Sequence, residues 1–307
     1  MSKVLFIGDI NVDVIMSGLA SFPQPDKEIT CESFEVVMGS SAVIAAVAYA
    51  SLGGITAISG LAGEDDYGEF MLKGLRDAGI DTFLVQRTKR FGTGVTINLI
   101  QGRTRTQVTY PGTIAAFDGT GLDRSALRDV AHVHFAGPYL QTGFRPRITG
   151  ILKTAMDLGV STSLDPQWDE TESWELMDEW LPMLSYLFVN EDEAISITGT
   201  DCATQACGLL AERTECPVVK TGRQGAMVVD DGRVTSRSPV DVDVIDTTGA
   251  GDNFDAGFLF AVLEKKMPRV EACDFANAVA SRSCTFVGGT DARSTCRDVE
   301  KLALEGR

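Results

Sequence analysis

Basic residues are scarce in this chain: 27 lysines and arginines stand against 43 aspartates and glutamates, a formal charge of −16 over 307 residues. That balance argues against the broad basic face that nucleic acid or an anionic membrane requires, so neither partner is expected. Its first meaning is solubility. A small anionic ligand remains compatible with it, because a local nest of backbone N–H groups can hold one whatever the overall charge. Paired cysteines are missing too. The seven cysteines are scattered, with no Cys-x-x-Cys, which argues against a disulfide frame or a zinc site and points to reduced thiols in a cytoplasmic protein. No apolar run approaches the roughly 18 residues of a membrane span. The opening "MSKVLFIGDI" stops being apolar at Gly8-Asp9 and reads as a first strand, too short for a signal peptide. Gly-Lys-Ser/Thr occurs nowhere, which removes the P-loop. Low-complexity linkers and internal repeats are absent as well.

What is present alternates. Strand-like runs ("KVLFIG", "ITAISGLAG", "DTFLVQ", "HVHFAG", "VSTSLD", "YLFVN", "PVVKTG") are separated by helical patterns. One of these, "SSAVIAAVAYASLGG", opens at Ser40 or Ser41 and closes at Gly53-Gly54. The repetition predicts an α/β fold, a mostly parallel sheet with helices on both faces and a ligand crevice beyond the carboxyl ends of the strands. Two stretches break the rhythm. Residues 11–36 look like short strands with Pro turns, and residues 91–110 look like a hairpin turning at Gly102. Together they predict a small separate sheet, a lid over the crevice, on one domain spanning 1–307. His132 and His134 alternate on a strand and read as packing residues. The run "WDETESWELMDEW" reads as a solvated amphipathic helix.

The most informative stretch is "VIDTTGAGDNFDAGF", Val244–Phe258. It is no dinucleotide fingerprint, since Phe254 stands where the third glycine belongs and no first strand precedes it. A glycine-rich turn entering a helix still leaves backbone N–H groups open at the positive end of the helix dipole. Gly249, Ala250 and Gly251 can therefore surround an anion. Asp252 beside them would either cap the helix or face a proton donor. A hydroxyl attacking a phosphoryl group supplies that proton, and a carboxylate suffices as its base because the proton leaves late in a loose transition state.

This motif resembles the C-terminal signature of the ribokinase-like, or PfkB, carbohydrate kinases, a group that includes fructokinases and nucleoside kinases. The likeness runs through the chain in order: "GDINVDVI", "MGSSAVIAAVAYASLGG", "GEDDYGEFMLKGLRDAGI", "TGVTINL", "LDPQWD", "VNEDEA", "VVKTGRQGA" and the signature itself. It implies a three-layer α/β/α fold with a small β-sheet lid. The implied activity is ATP-dependent phosphorylation of a sugar hydroxyl, with Asp252 as base and the Gly249–Gly251 backbone as anion hole. A nucleoside kinase of the same fold and a non-catalytic sugar or nucleotide sensor are the alternatives.

The resemblance also implies roles for other residues. Asp13, with Asn11, Gly39 and Ser40, would bind the sugar. Ser40 stands in place of a glycine, and Ile44 in place of an asparagine that binds a sugar hydroxyl, which bears on the choice of substrate. Arg103 and Arg105 on the lid hairpin are either solvated strand charge or a clamp for an acidic or phosphorylated sugar. Asn190 and Glu193 would arrange Mg²⁺ and its water near the ATP phosphates, or else merely cap a helix. Lys220, Gly222 and Gly225 would face the nucleotide, and Asn277 would border its base. Asp165 matches an Asp-x-Asn segment in which Gln167 replaces the Asn. Asp246, the Thr248 carbonyl and the loop at Gly288 would form a monovalent-cation site, for K⁺. A homodimer through the lid is one arrangement the resemblance allows.

Overall fold

The computed structural model describes residues 3–102 and 104–305, so Arg103 lies outside the described residues. The strands are β1 (Lys3–Ile7), β2 (Asn11–Ser17), β3 (Ser33–Met38), β4 (Ile55–Gly63), β5 (Asp81–Thr88), β6 (Gly94–Gln101), β7 (Thr104–Tyr110), β8 (His132–Ala136), β9 (Ser161–Asp165), β10 (Tyr186–Asn190), β11 (Pro217–Lys220), β12 (Ala226–Asp230) and β13 (Arg233–Arg237). Nine of them form one sheet in the order β13-β12-β11-β10-β9-β8-β1-β4-β5. Pairing is parallel from β5 through to β11 and antiparallel only in the β11-β12-β13 edge.

The helices of eight residues or more are α1 (Ser41–Ser51), α2 (Asp66–Asp77), α3 (Ile148–Leu158), α4 (Glu191–Thr198), α5 (Ala203–Ala211), α6 (Ala250–Leu263), α7 (Arg269–Ser283) and α8 (Cys296–Glu305). They cover the sheet on both faces, as alternation in β1 shows. Val4 and Phe6 belong to a core shared with α1, α6 and α7, whereas Leu5 and Ile7 belong to the opposite core with α3. Small side chains let α1 and α6 lie close: Ala42, Ala45, Ala46, Ala256 and Ala261 are all buried there.

The second sheet has the order β3-β2-β6-β7, built from the two stretches that broke the β-α rhythm. Its register sorts residues onto two faces. One carries Asn11, Asp13, Thr96, Asn98, Gln107 and Arg105. The other carries Phe34, Val14, Ile97 and Val108.

The tryptophan-rich run departs from the helix expected of it. Only Met177–Trp180 is helical, and Glu172, Trp174 and Leu176 adopt positive φ. Trp174 and Trp180 are buried, with their indole N–H groups donating to Ser196 Oγ at 2.8 Å and Thr149 Oγ1 at 3.1 Å. Burying two indoles and the Asp169 carboxylate, which accepts from the N–H groups of Thr171 and Trp174, outweighed helical propensity. His132 and His134 are buried against the hydroxyls of Ser161 and Ser163 at 2.7–2.8 Å, and burial pushes both imidazoles below their ordinary range.

Candidate active site

The carboxyl ends of β1, β9, β10 and β11 converge with the N-terminus of α6. Gly249 precedes α6 in the left-handed region at φ 71°. A Cβ there would sit 2.8 Å from Gly289 Cα and 3.0 Å from Ile44, so only glycine fits this turn. Ile44 is thus packed beneath the turn. Ala250 N–H donates to Thr247 O at 3.2 Å, while the N–H groups of Gly249 and Gly251 have no acceptor among the described residues. Asn253 holds the turn from below, donating through Nδ2 to Gly249 O at 2.9 Å and Gly289 O at 3.0 Å.

Asp252 stands in the first turn of α6, partly buried. Burial, then the Asp165 charge, raises its carboxyl to about 6, against the pull of Lys220 and a hydrogen bond from Ser41. Beneath it lies a buried cluster. Lys220 Nζ reaches Asp165 Oδ2 at 2.8 Å and the Asp255 carboxylate at 3.1 and 3.2 Å. Burial works against the lysine's charge, but Asp165 and Asp255 outweigh it and hold it above the ordinary range. Asp165 is held below the usual carboxylate range, where Lys220 overcomes burial, whereas burial drives Asp255 well above it. One ammonium thus bridges two carboxyl groups whose affinities for a proton are pushed in opposite directions.

Lys220 therefore sits under Gly251, its Nζ 3.3 Å from where a Cβ would be. Asn190 and Glu193 form a reciprocal capping box on α4: Glu193 N–H donates to Asn190 Oδ1 at 2.9 Å, and Asn190 N–H to Glu193 Oε2 at 2.8 Å. Burial raises the Glu193 carboxyl to about 7, with Asp165 adding and Lys220 opposing. Gly222 and Gly225 turn the chain between β11 and β12. Asn277 uses its amide to hold Arg237 O at 3.0 Å and Ser238 O at 3.2 Å.

Facing Asp252 is the polar side of the small sheet. Asp13 is buried, close against Gly39, where a Cβ would lie 2.3 Å from its Oδ1. Burial raises its carboxyl to about 7, Asp9 adds to this, Arg105 opposes it, and Asp252 adds further. Asn11 Nδ2 donates to Asp13 Oδ1 at 3.2 Å. Ser40 occupies φ 77°, an unfavourable place for a side chain. Its hydroxyl compensates by donating to Asp9 O at 2.6 Å while accepting from Val43 N–H at 3.3 Å. Arg105 crosses from the small sheet to Thr248 Oγ1 at 3.3 Å. Thr248 is in turn fixed by Asp246, whose Oδ1 accepts from Thr248 N at 2.9 Å and Oγ1 at 2.8 Å, and whose Oδ2 accepts from Gly288 N at 2.9 Å.

A sequence model describing the pfkB family carbohydrate kinases matches residues 1–296. The chain belongs to this family. Among its pfkB relatives, the ribokinase of Haemophilus influenzae is 26% identical over 298 residues, 94% of each chain. An ATP-dependent ribose-1-phosphate kinase of Halopiger xanaduensis is 28% identical over 283 residues, 89% of this chain and 90% of its own. In fold, Arabidopsis thaliana ribokinase complexed with ribose and ATP matches with a TM-score of 0.82 at 22% identity, over 98% of both chains. The protein is thus a sugar or nucleoside kinase of the ribokinase type, and the α/β fold with its small separate sheet is the one the sequence led us to expect.

Asp13, Asn11 and Gly39 pack together near Asp252, Arg105 reaches Thr248 just before the Gly249–Gly251 turn, and Lys220 lies under Gly251 with Glu193 close to the Asp165–Lys220 pair. Asn190 contacts Glu193, whereas Gly225 and Asn277 pack against the end of β13 and the chain that follows it, and their contacts do not reach Asp252 or Asp13. Sequence reasoning passed over Asp9, Ser41 and Asp255. Asp255 had a readable signal, since it lies three residues after Asp252 and so on a neighbouring face of the helix.

Proposed function

We propose that the protein transfers the terminal phosphoryl group of ATP to a sugar hydroxyl. Asp252 acts as base and the Gly249–Gly251 turn as anion hole. The observation that carries this is the pairing, at one helix N-terminus, of open N–H groups on Gly249 and Gly251 with a carboxylate raised to about 6. The acceptor hydroxyl gives its proton to Asp252 while those N–H groups stabilise charge on the moving phosphoryl group. Asp13, Asn11, Gly39 and Ser40 orient the sugar, and the small sheet serves as a lid that excludes water, with Arg105 bridging to Thr248. Lys220 supports the anion hole from below. The nucleotide lies along Asn190, Glu193, Gly222 and Gly225, with Asn277 holding the segment behind its base.

Among the described residues, no three His, Cys, Asp or Glu side chains gather to hold a metal. This suits Mg²⁺, which arrives on phosphates and keeps several waters; when bound it supplies charge compensation for the triphosphate. Glu193 would hold such a water. Asp246 keeps lone-pair capacity on Oδ2 after accepting from Gly288 N–H, so with the Thr248 carbonyl it suits a K⁺ ion. Seven free cysteines, three of them buried, accord with a cytoplasmic setting. The apolar outer face of the lid supports a homodimer through it.

ADP release from ATP-Mg²⁺ against pentoses, hexoses, sugar acids, sugar phosphates and nucleosides, with and without potassium, tests this reading. A single strong acceptor supports it and names the substrate. Nucleoside turnover alone would favour the nucleoside-kinase alternative. Bound ATP with no turnover of any acceptor would favour a sensor.

A further inference from the structure

Five buried side-chain polar atoms have no partner among the described residues, and two of them, Asn11 Oδ1 and Asn98 Nδ2, share the lid face that carries Asp13. A buried amide atom left unpaired has given up water for nothing, and two on one face mark a surface built to meet polar atoms that are not the protein's own. Asn98 is the more informative. It is only 2% exposed although β7 beside it is exposed along its whole length. Gln107 Nε2 donates to Asn98 Oδ1 at 2.9 Å, which fixes the amide and leaves its donor end open.

The register places it. Asp13 pairs with Thr96, Asn98 lies two residues further along β6 opposite Gln107, and Arg105 lies one row beyond, opposite Ile100. Asn98 thus stands between the carboxylate that faces Asp252 and the arginine that bridges to Thr248. It is diagonal to Asp13 across one strand, roughly 8 Å away between backbones, a separation that a monosaccharide can span.

We propose that Asn98, positioned by Gln107, is a specificity-determining residue for the acceptor. Its amide N–H donates to an acceptor oxygen on the far side from the one held by Asp13. The inference rests on the sugar-kinase reading and narrows it. The acceptor carries a hydroxyl, keto or carboxylate oxygen at that end, and an analogue lacking this oxygen is rejected because the amide is then left unpaired. Asn11 Oδ1 complements it by accepting from a sugar hydroxyl near Asp13.

The test measures calorimetric binding of D-ribose, D-fructose, D-gluconate and D-ribose 1-phosphate to wild type, Asn98→Leu and Asn98→Asp, with ADP release assayed in parallel. Leucine has nearly the same size and removes the unpaired Nδ2, while the exposed Gln107 that loses its acceptor can turn to water, so the fold is retained. The expected result is at least tenfold weaker acceptor binding in both variants, with the KM for ATP within twofold of wild type. Acceptor binding within twofold of wild type in both variants overturns the proposal, even where turnover upholds the kinase. Asn98-dependent binding without ADP release upholds the proposal and sinks the kinase reading. Absence of wild-type binding to every probe counts against both. The probe that loses most affinity tells whether the oxygen is a hydroxyl, a keto group or a carboxylate, and a loss confined to D-ribose 1-phosphate would instead place a phosphate there and overturn that assignment.

Discussion

Asp252 and Asp13 are two carboxylates in one crevice, and both are raised toward neutrality, to about 6 and about 7, chiefly by burial. A base works only when ionised, and a carboxyl is ionised above its pKa, so activity must be lost as pH falls. We expect kcat/KM, which reports the free enzyme, to climb between about pH 5.5 and 7.5 and then level off. A pH-rate profile on the best acceptor checks this; a flat profile down to pH 5 would contradict it. Both aspartates stood out in the sequence beside a glycine turn or a strand end, and the structure brings them near each other. The Lys220 cluster did not stand out. Asp165 and Lys220 meet because β9, β10 and β11 are neighbours, and Asp255 joins them from α6; neither strand order nor helix packing is written in any local spacing. Ile44 was legible as a lost amide, but its packing against Gly249 and Gly289 depends on how closely α1 approaches the turn before α6.

At the scale of elements, the lid joins the body through a cap. Asp65 accepts from Gly68 N–H at 2.8 Å at the start of α2, and also from Thr93 N–H at 2.7 Å just before β6. One carboxylate thus closes a helix and anchors a lid strand. Asp65→Ala is expected to cost about 1–3 kcal/mol, the loss of an N-cap together with an unpaired N–H, read as a lower urea midpoint. An unchanged midpoint would mean that water replaces the carboxylate without loss. Strands and helices of the β-α repeats were legible because their apolar periods differ. Residues 168–180 were not, since alternating acids and tryptophans fit a helix surface as well as they fit a loop folded over two buried indoles.

On the scale of the whole molecule, the outer face of the lid exposes Phe34 at 59%, Val108 at 59%, Tyr110 at 54% and Ile97 at 37%. Ile97 and Val108 are direct partners across β6 and β7 with Tyr110 two residues on, and Phe34 lies on the same face across β2. Such a face is an interface in waiting, and the homodimer proposed above would cover it with like against like. Light scattering should give a dimer for wild type and a monomer for Val108→Lys with Phe34→Glu. A monomeric wild type at tens of micromolar would contradict this. The alternating residues of 91–110 made the two-faced hairpin visible in sequence, whereas its parallel pairing with β2 required the structure.

The most direct test of the account is Asp252→Asn assayed for turnover and, separately, for ATP binding. A base contributes about 10²–10⁴-fold, so kcat should fall by that factor while ATP affinity stays within a few-fold. Turnover within tenfold of wild type would remove Asp252 from the chemistry and leave it a first-turn carboxylate favoured by the helix dipole.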